Sequence, residues 1–346
     1  MDVDATLADT PLPIRADAQL GAGVESAESA VSLTDVLHEL DRRQREHRRI
    51  GFIAAVIKKF SDDQGGQLAA LIAYYGFVSL FPLLLVLVTV LGFVLQGDPG
   101  EQQRLLNGAL GQFPLLRDQL KLHSLSGSGV ALAVGIAISL LAGVGITGAT
   151  QNAFNRIWSV PFKQRPNFIF ARLRGLRLLA LLGAMSIIST TAAGFVGSAS
   201  HGPVKVACGI IVAFVFNLAL FMTAFKLLTA VELSWRVLLP GVIVAALGWQ
   251  ALQHLGGFYL DHELKRTGPL YGVFALVLGL LALLYLGALI TVFAAEINPV
   301  KARRLWPRSF FSGTLLDADK RALTAAAEVE ERVQQENVEV DFDSPD

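Results

Sequence analysis

Polar side chains lie inside long apolar stretches of this chain of 346 residues, where each hydrogen-bonding group needs a partner. In IAYYGFVSLFPLLLV, which runs from Ile72 to Val86, Tyr75, Ser79 and Pro82 recur at helical spacing and share one face of a helix. Pro82 cannot donate to the carbonyl of Val78, so Ser79 and Tyr75 are placed to compensate. These residues predict hydrogen bonding at a kinked helix, which either only packs or lines a polar cavity.

A second polar group ends the stretch GITGATQNAFNRIW, from Gly145 to Trp158. The small or polar residues before and within it recur every four positions, a pattern that lets helix backbones approach closely. They are Ala131, Gly135, Ser139, Gly143, Thr147 and Gln151. We predict either close packing that ends in an interfacial belt or a polar vestibule at the inner membrane surface. The residues predicted for a polar cavity or for helix packing are Tyr74, Tyr75, Ser79, Pro82, Thr147, Gln151, Asn152, Asn155, Asn217, Glu296 and Asn298.

Glu296 closes the last apolar stretch, in TVFAAEINP. Ionised groups inside a membrane are usually paired, and Lys226 and Arg156 are predicted at the same depth. We therefore predict an ion pair between Glu296 and one of these two cations. The alternative is an interfacial carboxylate that faces water.

The motifs of soluble enzymes are missing from the sequence. It contains no GxxxxGK[ST] loop, no HExxH, no GxSxG and no calcium loop of the EF-hand type. The single cysteine, Cys208, allows neither an intrachain disulfide nor a CxxC metal site. The only His and acid cluster, which spans 254–263, is explained more simply by exposed charge. We predict no catalytic residue, no metal site, no cofactor and no enzymatic activity.

Six stretches free of Asp, Glu, Lys and Arg must position these polar groups. They are Gln64–Gly97, His123–Asn155, Leu178–Pro203, Val206–Phe225, Val237–Leu260 and Thr267–Ala295. A helix that crosses a bilayer core needs about 20 mainly apolar residues. Only 17% of the chain is charged, against about 25% in soluble domains. The predicted fold is an all-α polytopic membrane protein, a bundle of six transmembrane helices at about 68–95, 129–153, 177–199, 204–230, 237–257 and 270–297.

The flanks of this bundle differ in charge. Residues 1–40 are acidic and predicted to be a disordered arm, and 307–346 form a predicted acidic tail. The membrane domain proper is predicted over 41–306. Its first segment, Asp41 to Phe60, mixes seven Lys and Arg with apolar residues at helical spacing. This pattern predicts an N-terminal amphipathic helix on an anionic membrane surface.

The distribution of Lys and Arg predicts the orientation of the bundle. Most basic residues flank the predicted N-terminal, second, fourth and C-terminal connections, and few flank the others. By the positive-inside rule, both termini are then cytoplasmic, as an even number of crossings also requires. The first 40 residues contain no apolar core of a signal peptide, so the first span is expected to be an uncleaved anchor. The net charge of zero gives no field that would attract nucleic acid.

Four segments together resemble the YihY/BrkB family of bacterial inner-membrane proteins, part of which carries the label ribonuclease BN. They are ALIAYYGFVSLFPLLL (70–85), GITGATQNAFNRIW (145–158), LSWRVLLPG (233–241) and YGVFALVLGLLALLYLGALITVFAAEIN (271–298). The family pattern matches at Tyr74, Tyr75, Ser79, Pro82, Asn152, Asn155, Trp158, Pro240, Gly241, Gly272, Glu296 and Asn298. Ala295 departs from it, since the family usually has glycine there. The resemblance implies a six-helix protein of the bacterial plasma membrane.

The resemblance does not settle an activity. Family names refer to virulence and serum resistance, and some members have been linked to envelope lipid handling. We expect a protein that moves a lipid or another amphipathic envelope component across or within the membrane. The alternative is a non-transporting scaffold or regulator of envelope integrity. Expected partners are membrane lipids, and proteins through the acidic tails, with no nucleic acid; a ribonuclease is disfavoured. The oligomeric state is left open.

Overall fold

The structure, a computed structural model, describes residues 47–94, 100, 129–199, 203–263, 269–309 and 315–343. The predicted arm at 1–40 lies outside these residues. Within them the chain forms helices and no β-strand. The helices are α1 Arg48–Asp62, α2 Gly65–Val94, α3 Gly129–Ile157, α4 Phe168–Ala199, α5 Pro203–Leu228, α6 Trp235–Glu263, α7 Pro269–Ala302 and α8 Asp317–Glu328. A short 3₁₀ turn, Phe162–Gln164, lies between α3 and α4. The all-helical prediction is confirmed.

Six of these helices, α2 to α7, have 26 to 34 residues each and are apolar over most of their length. Such helices are long enough to cross a bilayer. Among the described residues, three segments combine the length and the apolar composition of a membrane span, namely Cys208–Leu228, Trp235–His254 and Val277–Ala302. They coincide with the fourth, fifth and sixth predicted spans. The other three crossings stay a prediction.

The six long helices close into a ring. Each packs against its neighbour in the chain from α2 to α7, and α7 packs against α2. The core of the ring contains large aromatic and aliphatic side chains such as Phe154, Phe221, Phe225 and Leu238. Because α2 and α7 are the first and last of the six, their contact makes closure of the bundle dependent on both ends of the domain.

Helix α1 packs beside this ring, against α7. Its buried Ala55 and Val56 meet Val300 of α7 and Leu305 just after it. Ile53 and Ile57 on the same helix stay exposed. One face of α1 is thus committed to the bundle, while an apolar face remains for a surface such as a bilayer.

Helices α6 and α7 pack closely at Gly241. A Cβ atom at this position would lie 2.4 Å from the carbonyl oxygen of Ala294 and 2.5 Å from the side-chain nitrogen of Asn298. The N–H of Gly241 donates to Oδ1 of Asn298 at 2.8 Å. Gly241 follows Pro240, which lies inside α6 and has no N–H of its own. A residue without a side chain is therefore required where the two backbones meet.

We expect Gly241→Ala to destabilise the protein by about 1–3 kcal/mol, because the new methyl group meets backbone that cannot move aside. Gly183→Ala in α4 is the matched control, since a Cβ there meets nothing within 4 Å. Alanine is the better helix former, so the control should be neutral or slightly stabilising. Unfolding of both variants in mild detergent measures the difference, and equal stability would contradict the close approach.

Candidate functional site

A buried charged cluster joins α1 to α7 and to the end of α3. The ammonium group of Lys59 lies 3.1 Å from Oε2 of Glu296 and donates at 2.8 Å to the carbonyl of Ile157. It also donates to the carboxylate of Asp63 at the end of α1. Glu296 is fully buried, and Lys59 and Asp63 nearly so. Burial disfavours the charged amine, but Glu296 and Asp63 outweigh it and raise the pKa of Lys59 above its ordinary value.

This cluster corrects the predicted partner of Glu296. Neither Lys226 nor Arg156 forms an ion pair with Glu296 in the described part of the chain; Lys59 does. The reason is the position of α1, which packs along α7 and places Lys59 beside the end of the last long helix. The prediction considered only cations that follow the apolar stretches. Lys59 belongs to the amphipathic segment before them, so its helix was assigned to the membrane surface.

The polar stripe of α2 is only partly as predicted. Ser79 is buried, but its hydroxyl donates to the carbonyl of Gly76 at 2.9 Å, not to the carbonyl that Pro82 leaves free. Helix α2 continues through Pro82 to Val94. The Tyr75 ring packs where a Cβ of Gly145 would lie, 2.8 Å away. Tyr74 is 59% exposed. Ser79 therefore lies in the packed interior, whereas Tyr74 and Tyr75 lie at an open surface.

From Gly143 to Gln151, the small and polar stripe of α3 faces α4, as close packing requires. Thr147 lies over Gly175, where a Cβ would come within 2.3 Å of its hydroxyl. One turn later Gln151 donates from its side-chain amide to the carbonyl of Ala171 at 2.9 Å. This carbonyl lies near the start of α4. The polar residues of this stripe thus help to fix the register of α3 against α4.

Three of the four predicted asparagines, Asn155, Asn217 and Asn298, have separate places. Asn155 is buried, and its Oδ1 accepts a hydrogen bond from the N–H of Ala230 between α5 and α6, at 2.8 Å. Asn298 binds Gly241, as described above. Asn217 is buried within α5. Asn155 and Asn298 therefore connect helices through backbone N–H groups.

A groove opens between α3 and α4, and five of the predicted residues line it. This α3–α4 groove has a volume of roughly 780 Å³. The predicted residues in its lining are Tyr75, Thr147, Gln151, Asn152 and Asn155. Asn152 is exposed, and a Cβ added at Gly148 would meet no atom within 4 Å. The polar residues thus line open space, and some of them also hold neighbouring helices together.

Two arginines in the same groove were not among the predicted site residues. Arg165 and Arg172 line it from the α3–α4 connection and the first turn of α4. Arg165 lies over the ring of Phe162, 4.0 Å from its centroid, and Arg172 lies over that of Phe168, at 3.7 Å. Such contacts hold a guanidinium in place without neutralising it. The sequence signal for Arg172 was the pair of phenylalanines just before three arginines in FIFARLRGLR, whose arginines served only to predict the orientation of the bundle.

The described part of the C-terminal tail packs on the same end of the bundle. Buried Asp319 in α8 accepts hydrogen bonds from Nε of Arg308 at 2.9 Å and from the N–H of Ser309 at 2.8 Å, and Lys58 of α1 lies 3.0 Å away. Burial raises the pKa of Asp319, but these donors outweigh it, so the pKa lies below its ordinary value. The Asp319 carboxylate therefore ties α8 to α1 and to the segment that follows α7.

Further along, the tail binds the connection that forms the rim of the α3–α4 groove. The N–H groups of Phe162 and Lys163 donate to the carbonyls of Val329 and Glu331, at 3.1 and 2.9 Å. The ammonium of Lys163 pairs with the Glu331 carboxylate at 2.9 Å, and this lowers the pKa of Glu331. Phe162 is itself part of the groove lining. The tail thus supports one wall of the groove.

The described residues contain no group of three or more His, Cys, Asp or Glu that could hold a metal ion. The polar groups of the α3–α4 groove are amides, hydroxyls and guanidinium groups. These groups recognise a ligand by hydrogen bonding and charge.

Loss of the Lys59 charge should destabilise the bundle. We expect Lys59→Met to cost about 3–5 kcal/mol of unfolding free energy, because Glu296 is left buried without its cation. Combining it with Glu296→Leu should recover most of this loss. Exposed Lys301→Met is the control and should change stability by less than about 0.5 kcal/mol. If the double variant is no more stable than Lys59→Met in a denaturant titration, the pairing is contradicted.

Attachment of the tail should depend on the charge of Asp319. Asp319→Asn should loosen α8 from α1 at neutral pH, because it removes the charge that three donors share, while the contacts of Val329 and Glu331 remain. Because the folded pKa is lowered, the wild-type attachment is complete above pH 3.8 and is lost as pH falls further, through the folded pKa. Trypsin cleavage at Lys320, Arg321 and Arg332 measures this loosening. Exposed Asp317→Asn, in the same turn of α8, should leave the cleavage rate unchanged.

Comparison with known proteins agrees with this architecture. The chain is 26% identical over 300 residues to the inner membrane protein YhjD of Escherichia coli (strain K12), covering 79% of this chain and 88% of YhjD. It is 23% identical over 278 residues to the ribonuclease-like protein YfkH of Bacillus subtilis (strain 168), covering 74% and 96%. No solved structure matches. The family model named Virulence factor BrkB matches residues 56–309. The predicted resemblance is confirmed: the chain is a membrane protein of the BrkB/YihY family.

Proposed function

We propose that this protein is a six-span plasma-membrane protein that moves a lipid or another amphipathic envelope component across or within the membrane. One observation carries the proposal. Five polar residues within or beside the long apolar helices meet in a groove that also contains two arginines. Polar groups inside a membrane domain are costly, so a groove that collects them is better explained by a ligand than by packing alone.

The chemistry of the groove suits a ligand with a charged head and an apolar body. Arg165 and Arg172 supply positive charge, while Tyr75, Leu71 and Phe168 supply apolar contacts. Phe168 is 67% exposed, so the groove continues onto an apolar surface. A lipid could then enter sideways with its head in the groove and its chains in the bilayer. No nucleotide-binding motif is present in the sequence, so a gradient or a partner would drive movement.

The contacts at one end of the bundle support the proposed six crossings. Lys59 of α1 binds the carbonyl at the end of α3, Arg303 after α7 binds that of Trp158, and Asn155 binds the turn between α5 and α6. These connections therefore share one end, as an even number of crossings between them demands. Because this end is rich in Lys and Arg, we place it, with both termini, in the bacterial cytoplasm.

The alternative function, a scaffold that recruits proteins through its acidic tail, has weaker support. Asp319 and Glu331 of that tail already form ion pairs within the chain. A recruiting tail would need its acidic groups free for a partner. The described tail is better explained as a support for the α3–α4 connection.

Filling the groove should stop movement without unfolding the protein. In Gly148→Leu, the new side chain enters open space and not neighbouring atoms. After reconstitution into vesicles, it should slow transbilayer movement of a labelled phospholipid at least tenfold relative to wild type. Gly183→Leu adds the same side chain to an exposed site outside the groove, also with nothing within 4 Å. It shares the gain in helix propensity and should move lipid at the wild-type rate.

Two results would count against the proposal. Wild-type protein that moves no labelled lipid above empty vesicles would remove the proposed activity for that lipid class. Equal rates for Gly148→Leu and Gly183→Leu would mean that movement does not use the α3–α4 groove. Melting temperatures of both variants, measured in the same detergent, exclude misfolding as the cause of a lower rate.

A further inference from the structure

A second groove lies on the other side of α4, between α4, α5 and the turn that leads to α6. This α4–α5 groove has a volume of roughly 800 Å³. Three cations line it, namely Arg174 and Arg177 from α4 and Lys226 from the end of α5. Arg174 and Arg177 are three residues apart in one helix, so they project from the same face. The basic end of α4 therefore divides its arginines between two grooves, with Arg172 in the first.

The cations of the α4–α5 groove differ from other basic residues at this end of the molecule. Within the described ranges, none of the three forms an ion pair or a hydrogen bond. The nearby basic residues Lys59, Lys163 and Arg308 all do. One acid, Glu232, lines the groove, and it is exposed and forms no ion pair with them. Positive charge thus exceeds negative charge in a concave site, and like charges repel unless an anion lies between them.

The remaining lining indicates what kind of anion belongs there. The apolar residues Leu181, Met222, Leu227 and Leu233 form part of the wall. Leu181 is 40% exposed, so this wall continues along the outer face of α4. Ser234, which is also exposed, adds a hydroxyl donor. A ligand that satisfies this site has a compact, multiply hydrogen-bonding anionic head, and an apolar part can lie beside it.

We propose that the α4–α5 groove binds a phosphate group through Arg174, Arg177 and Lys226. A guanidinium presents paired N–H donors that match two oxygens of a phosphate, and a lysine adds a point charge. Three cations suit a group with several acceptor oxygens better than a single carboxylate. The site is separate from the α3–α4 groove and does not require that the protein moves lipid. Its ligand is the headgroup of an anionic phospholipid or a free phosphate.

Binding of labelled phosphatidylglycerol to the purified full chain in detergent micelles tests this inference. The Arg174→Gln/Arg177→Gln variant should bind about tenfold more weakly or worse, because two charged hydrogen-bonding groups are lost. Arg174→Lys/Arg177→Lys keeps the charge but loses the paired N–H donors, so its binding should lie between that of wild type and that of the glutamine variant. Arg48→Gln/Arg49→Gln removes two exposed charges from α1, outside the groove, and should bind like wild type.

The outcomes separate a built site from general attraction. Unchanged binding by Arg174→Gln/Arg177→Gln would overturn the inference. An equal loss in Arg48→Gln/Arg49→Gln would also overturn it, because the effect would then follow net charge alone. Selective loss in the groove variant, with labelled phosphatidylcholine bound far more weakly by wild type, supports an anionic headgroup.

Inorganic phosphate distinguishes the two sources of the ligand. If millimolar phosphate displaces labelled phosphatidylglycerol, and does so only when both arginines are present, the site is one for free phosphate. If it does not compete, the lipid headgroup is the ligand. Gly148→Leu keeps the α4–α5 groove intact, so it should retain phosphatidylglycerol binding. A failure of the proposed lipid movement and a failure of the proposed phosphate binding are thus detected with different variants.

Discussion

The contact between Lys59 and Glu296 is the constraint on which the arrangement of this domain depends. It joins the helix before the ring to the last helix of the ring, and the end of α3 contributes a carbonyl to the same ammonium group. Both charges are buried, so any arrangement that separates them leaves a buried ion unpaired. Such a pair contributes little to the net free energy of folding, but it excludes other arrangements of the helices. It holds together the end of the bundle where both candidate grooves and the tail are found.

Basic residues at this end of the molecule divide into two classes. Lys59, Lys163 and Arg308 are paired with carboxylates and hold helices, the α3–α4 connection and the tail together. The arginines at the start of α4 stack on aromatic rings or line grooves. The basic residues at this one end of the molecule thus have two physical roles. Carboxylates neutralise the structural cations, whereas stacking leaves the others charged and available to an anion.

Much of the architecture follows from the sequence, because long charge-free stretches leave the backbone no alternative to helices. The stripe of Thr147 and Gln151 predicted a close helix neighbour, and α4 is that neighbour. The partner of Glu296 could not be predicted, since no periodicity shows where an amphipathic helix packs. Likewise a serine hydroxyl in a helix can donate to a backbone carbonyl of the preceding turn, and only the local geometry shows that Ser79 donates to Gly76. The shape of a groove depends on how neighbouring helices diverge. The spacing of residues within one helix carries no information about this divergence.

The position of Lys59 has a consequence for biosynthesis. The ribosome synthesises α1 long before α7. Lys59 and Asp63 therefore leave the ribosome before Glu296 has been made. Until the last helix has been inserted, the cluster lacks Glu296, and α1 lacks the contact with α7 that places it in the domain. Completion of the chain, not synthesis of its first helices, is then the event that locks the domain. A chain truncated before Glu296 would expose a charged, unanchored α1 to the cellular machinery that removes incompletely assembled membrane proteins.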